Sequence, residues 1–240
     1  MGSRFDKSWP LPEPNLSPPR HKVHQEKNPL RFLAVAGAGP LRSAEVEGDH
    51  VGDGEIMINT EVKSVSLLPL GMLTLDQSVL THRQFPGQKV DCPVIAAFIE
   101  MADGEHILFD TGLPPAFLED DDFLPANQAN CICSYTAEDD IRSRLRTLGA
   151  TPEDVRIVIN SHFHWDHSGA NYLFPHARFL VQEKEYRFAR QPDAFINPAY
   201  TPKLFDIGAE TRLMPGDEVI KPGIAAITTP GHTPGHQSLM

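Results

Sequence analysis

With 240 residues and 40% apolar content the chain can close one sizeable hydrophobic core, because single domains run up to about 250 residues. Its 21 basic residues against 32 acidic ones leave a formal charge of −11, which argues against nucleic acid as a partner because binding phosphate needs a basic face. No stretch approaches the roughly 18 consecutive apolar residues that cross a bilayer, which argues against a membrane protein.

Residues 1–10 lack a charged segment followed by an apolar one, so no secretory leader is read and a cytoplasmic location is expected. Residues 1–55 are rich in Pro, Gly and charge, as in Pro10-Leu11-Pro12-Glu13-Pro14, and predict a flexible extension ahead of a globular domain over 56–240. Within the extension, residues 30–35 could dock as an edge strand. Cys92, Cys131 and Cys133 are too few for a disulfide framework, and Cys131-Ile132-Cys133 lacks the two-residue spacer of common zinc and redox motifs, so reduced thiols are expected.

From Val62 onward the texture changes to short apolar runs between turns. Residues 65–70 and 94–99 read as strands. Ala102-Asp103-Gly104-Glu105 is a turn leading into His106-Ile107-Leu108-Phe109, so a hairpin is predicted that ends at Asp110-Thr111-Gly112. Thr136 and Asp139 resemble a weak capping box, after which Ile141, Leu145 and Leu148 recur at helical spacing before Gly149. Residues 155–159 are β-branched and too short for a helix. Residues 178–181 read as another strand, 183–190 as a short helix, and 224–229 as a last strand running into Pro230-Gly231-His232. No internal repeat of 20 to 50 residues is present.

The chemistry is concentrated in His162-Phe163-His164-Trp165-Asp166-His167, two residues beyond the 155–159 strand. Four potential ligands fall within six residues, and nitrogen with carboxylate ligands suits zinc or a similar borderline ion. On an extended turn His162 and His164 project to one side, while Asp166 and His167 are aimed at a second position. Asp110 stands at a strand end, where a carboxylate can accept the free N–H of a metal-bound imidazole. Pro230-Gly231-His232-Thr233-Pro234-Gly235-His236 offers a further histidine ligand on a loop shaped by glycine and proline.

The 162–167 loop resembles the HxHxDH signature of the metallo-β-lactamase superfamily, and Thr229-Pro230-Gly231-His232 resembles its next ligand motif about 65 residues on. Within that superfamily the chain is most similar to the N-acyl-homoserine lactonases over residues 62–240. The likeness runs through Leu75-Asp76-Gln77-Ser78, residues 107–114 and residues 232–239. It implies an α/β fold, a four-layer αββα sandwich with a two-zinc site at one edge of its sheets. His162, His164 and His232 would hold the first metal and Asp166 and His167 the second, with Asp110 and His236 in outer-shell positions. Family members continue past the His232 motif to a bridging carboxylate, a further histidine and a substrate-side tyrosine, which this sequence does not contain, so the expected fold and second site are incomplete at the C-terminus.

The resemblance also implies a small-molecule lactone substrate, opened by hydroxide from a metal-acidified water, with Asp166 passing a proton to the leaving alkoxide. No Gly-x-Ser-x-Gly elbow offers a protein nucleophile instead. A glyoxalase II-like thioesterase should show basic residues at its entrance, whereas residues 117–124 are acidic and apolar, favouring a neutral, acyl-bearing substrate. A non-catalytic remnant with fewer ligands is the remaining reading.

Overall fold

The computed structural model describes residues 61–81, 84–119, 132–194 and 199–240. The extension expected over 1–55, the strand expected at 30–35 and most of the acidic 117–124 segment lie outside them.

The hydrophobic alternation of the first half builds a long antiparallel meander. β1 (Val62–Asp76) pairs with β2 (Lys89–Met101), and β2 pairs with β3 (His106–Phe109). In β2 the side chains divide by parity, as strand geometry requires. Val94, Ala96 and Phe98 enter one core, and Ile99 and Met101 enter another on the opposite face. β4 (Ile132–Ser134) flanks β1.

Beyond β3 the sheet becomes parallel, through β5 (Val155–Ile159), β6 (Arg178–Gln182) and β7 (Thr211–Met214). β5 and β6 are largely apolar on both sides because both faces are covered: Val158 and Phe179 join the first core, while Ile157, Ile159 and Leu180 join the second. The seven strands lie in the order β4-β1-β2-β3-β5-β6-β7. A second, antiparallel sheet is made from β8 (Glu218–Lys221), β9 (Ile224–Thr228) and β10 (Gln237–Leu239), in the order β10-β9-β8.

The two sheets share a core in which Ile224 and Ala226 meet Ile107, Ile159, Leu180 and Met214. On the other face of the large sheet lie α2 (Ile141–Thr147), the single turn α3 (Trp165–Ser168) and α5 (Pro202–Phe205), contributing Ile141, Leu145, Trp165 and Leu204. The order is therefore helix, large sheet, small sheet. The far face of the small sheet carries Val219, which is 70% exposed.

Two expectations need correction. Helix α2 is capped by Asp140, whose carboxylate accepts the Arg142 backbone N–H at 2.8 Å, and not by Thr136. The Thr136 N–H and hydroxyl both donate to the Asp139 carboxylate, which closes a separate turn just before the helix. Leu148 is exposed because it follows the last helical residue and leaves the buried face. The short elements α1 (Gln77–Leu80), β4, β7, β8, β10 and α5 have three or four residues each, too few to show a period. Helix α4 (Glu183–Arg190) has the bounds its sequence suggested.

Candidate metal centre

Parallel strands gather their carboxyl ends on one side of a sheet, and the loops leaving them form the site. Here Asp110 follows β3, His162 follows β5, and helix α4 follows β6. The loop 229–236 leaves β9 of the small sheet and returns into β10, and Gln237 ties it to the large sheet. The Gln237 backbone N–H donates to the Ser161 carbonyl at 3.0 Å, and its side-chain amide donates to the Asn160 carbonyl at 2.7 Å.

These connections bring His162, His164 and His232 together. One ring nitrogen from each lies within 4.8 Å of the other two. His232 Nε2 is 3.1 Å from His164 Nδ1, a separation at which two lone pairs can face one cation. The Nε2 atoms of His162 and His164 are buried without a hydrogen-bond partner, and buried polar atoms are rarely left so. Burial also lowers both basicities, with His162 far below the usual histidine range and His164 down to about 3. Neutral imidazoles are what a metal requires.

Asp110 organises this cluster from below. It is buried and adopts a left-handed backbone, φ 62°, a conformation uncommon outside glycine but tolerated by Asp. The next left-handed position is Gly112, φ 76°, where a Cβ would run into the Leu70 side chain. The Asp110 carboxylate accepts the Ser161 N–H at 2.7 Å, the Ser161 hydroxyl at 2.7 Å and the His167 Nδ1–H at 2.8 Å. Ser161 Oγ in turn lies 2.9 Å from His162 Nδ1. Because the Ser161 hydroxyl proton points to Asp110, its oxygen accepts from His162 Nδ1–H, which leaves His162 Nε2 with a free lone pair.

Asp166 and His167 lie in one helical turn beside the cluster. His167 Nε2 is 3.4 Å from the Asp166 carboxylate, and its ring centroid is 4.1 Å from that of His162. Burial opposes a charge on His167, but the Asp166 and Asp110 carboxylates outweigh it and raise its basicity well above the usual value. His167 thus packs against the histidine cluster, with the Asp166 carboxylate beside it. His236 stays outside the converging trio: its Nδ1 is 2.8 Å from Thr229 Oγ1, and its ring is 6.2 Å from His232.

Glu185 and Tyr200 also belong to this region, and the sequence reading did not include them. Glu185 is completely buried, and its carboxylate accepts the Phe163 backbone N–H and the hydroxyls of Tyr200 and Thr233. Tyr200 sets its ring edge-on to His164 at 4.7 Å. Neither residue has a motif around it. The available signal was the placement of Glu185 just past the apolar β6 strand, in the first turn of a helix that borders the site.

A family model described as the metallo-beta-lactamase superfamily matches residues 90–240. The chain belongs to that superfamily, whose members include metal-dependent hydrolases. It is 33% identical, over 75% of its length and 70% of the relative's, to an N-acyl homoserine lactonase of a Bacillus species. A Bacillus cereus protein of the same description is 32% identical with the same coverage. Among solved structures, a Bacillus thuringiensis AiiA variant with N-decanoyl-L-homoserine at its active site aligns with a TM-score of 0.66 at 31% identity. That alignment covers 74% of this chain and 70% of AiiA.

Proposed function

We propose that this chain is a zinc-dependent hydrolase that opens a lactone ring, with N-acyl homoserine lactones as its substrate class. The observation that carries the reading is the convergence of ring nitrogens from His162, His164 and His232, with the buried Nε2 atoms of His162 and His164 lacking hydrogen-bond partners. The lactonase relatives support the choice of substrate. His162, His164 and His232 would hold the first zinc, and Asp166 and His167 would face a second. A bound zinc ion supplies Lewis acidity and a water acidified toward neutrality.

The chain's own residues divide the remaining work. Ser161 and Asp110 fix the tautomers of His162 and His167, and so decide which ring nitrogens carry lone pairs. Asp166, whose carboxylate lies 3.4 Å from His167 Nε2, would carry a proton to the departing ring oxygen. Ser161 is no nucleophile, because its hydroxyl proton is committed to Asp110 and the residue is buried.

The test pairs elemental analysis of the purified chain with hydrolysis of N-hexanoyl homoserine lactone and of a glutathione thioester. Zinc together with ring opening of the lactone is the expected result. Cleavage of the thioester alone would move the assignment to a thioesterase, and zinc without either activity would leave a metal-binding protein that is not a hydrolase.

A further inference from the structure

We propose that Glu185 is the positioning residue that locks the two histidine loops into one metal-binding unit. This rests on the reading that His162, His164 and His232 hold a metal. Glu185 Oε1 accepts the Phe163 backbone N–H at 3.0 Å and the Tyr200 hydroxyl at 3.1 Å, and Oε2 accepts the Thr233 hydroxyl at 2.6 Å. Phe163 separates His162 from His164, and Thr233 directly follows His232. One carboxylate therefore grips the chain beside all three imidazoles, although 68 residues separate His164 from His232.

Two further contacts tighten the clasp. Tyr200 forms a backbone bridge with His164 as well as its edge-on ring contact, so the Glu185 bond to Tyr200 also acts on His164. On the other loop, a Cβ at Gly235 would overlap the backbone nitrogen of Glu185. The loop 229–236 thus lies directly against the first turn of α4, at a distance only glycine permits.

The chemistry of the grip points the same way. The donors Glu185 meets are a peptide N–H and two hydroxyls, all neutral. Among the described residues these donors include no cationic side chain; a buried carboxylate so placed is costly, and an ion held by the adjacent histidines would offset that cost. Glu185 therefore fixes the spacing of the ligands and favours a cation over an empty cluster, without touching the ion.

The test uses the full chain, competing for zinc against a chromophoric chelator, with cobalt substitution as a spectroscopic reading of ligand geometry. Glu185→Gln keeps the shape and removes the charge. It should weaken zinc affinity by about 10 to 100-fold and alter the cobalt visible spectrum, while thermal unfolding of the metal-free protein moves little. Thr233→Val, which removes one hydroxyl from the clasp, should shift affinity in the same direction by less. A Glu185→Gln protein with affinity within about twofold of the parent and an unchanged cobalt spectrum would overturn the proposal. So would a loss of affinity that merely follows an equal loss of metal-free stability. Should Glu185→Gln fail to fold, Thr233→Val decides alone, and unchanged affinity there rejects the clasp. If the parent chain binds no zinc, this proposal falls together with the reading beneath it; if the parent binds zinc and Glu185→Gln is unaffected, this one falls alone.

Discussion

The two candidate metal positions are built by different means. The first takes its donors from two loops 68 residues apart, which meet only when the small sheet docks on the large one. The second takes Asp166 and His167 from a single helical turn, aligned by the chain itself and steadied by Asp110. A position made by tertiary closure is coupled to the fold, whereas a position made by a local turn depends on its immediate supports. Ligand count differs as well: among the described residues three ring nitrogens converge at the first position, whereas the proposed second position would have Asp166 and His167. Three protein ligands with one open coordination site describe a catalytic-type zinc, and two fall short of it.

The largest effect should come from breaking the closed position. His162→Ala removes the most buried of the three ligands and should weaken the first zinc by more than the roughly 10 to 100-fold that loss of an outer partner produces. Chelator competition measures this, and affinity equal to the parent's would show that His162 is not a ligand. The unaltered 240-residue chain, titrated with zinc by calorimetry, should give one tight event and a second at least about tenfold weaker, in keeping with the ligand counts. Two equally tight events would mean that the second position has donors beyond Asp166 and His167.

Next in size is the removal of a support. Asp110→Asn retains a residue that tolerates the left-handed backbone but replaces a carboxylate oxygen with an amide facing Ser161 or His167. Affinity at the second position should fall by about 10 to 100-fold, with a smaller loss at the first, reached only through Ser161 and His162. Equal losses at both would erase the contrast between a locally supported position and one held by closure.

Much of this was legible in the sequence, and the rest was hidden for physical reasons. The central strands could be read because Ile157, Val158 and Ile159 sit in a β-branched run, and the histidine loop because its ligands lie within six residues. That the 230–236 loop supplies a further histidine ligand could be read from its residues, but the choice of His232 over His236 followed only from the resemblance. Glu185 was invisible because Glu183-Lys184-Glu185-Tyr186-Arg187 reads as a solvated helix face, while the loop 229–236 covers it completely. The helix cap was misplaced because Thr136 and Asp139 have the spacing of a capping box, and the same spacing closes an isolated turn when the helix cap falls one residue later, at Asp140.

The smallest effect lies farthest from the metal, in Leu75-Asp76-Gln77-Ser78, a segment that carries part of the lactonase likeness. Asp76 caps α1 by accepting the Ser78 N–H at 3.0 Å and the Ser78 hydroxyl at 2.6 Å, and it also accepts the Gly87 N–H at 2.8 Å. One half-buried side chain thus closes the connection between β1 and β2. The Ser78 hydroxyl and N–H, followed by the Gly87 N–H, hold the Asp76 carboxyl below its ordinary value of 3.8. A group whose pKa is depressed by folding stabilises the protein above its unfolded pKa and loses that contribution as pH falls through the folded value. Asp76→Ala should therefore lower the thermal midpoint of the metal-free protein slightly at neutral pH and leave zinc affinity unchanged. The gap between parent and variant should persist down to about pH 4 and close below it. If zinc affinity falls instead, or if the gap stays open in strong acid, Asp76 does more than close a turn, and the division between site and scaffold would have to be redrawn to include it.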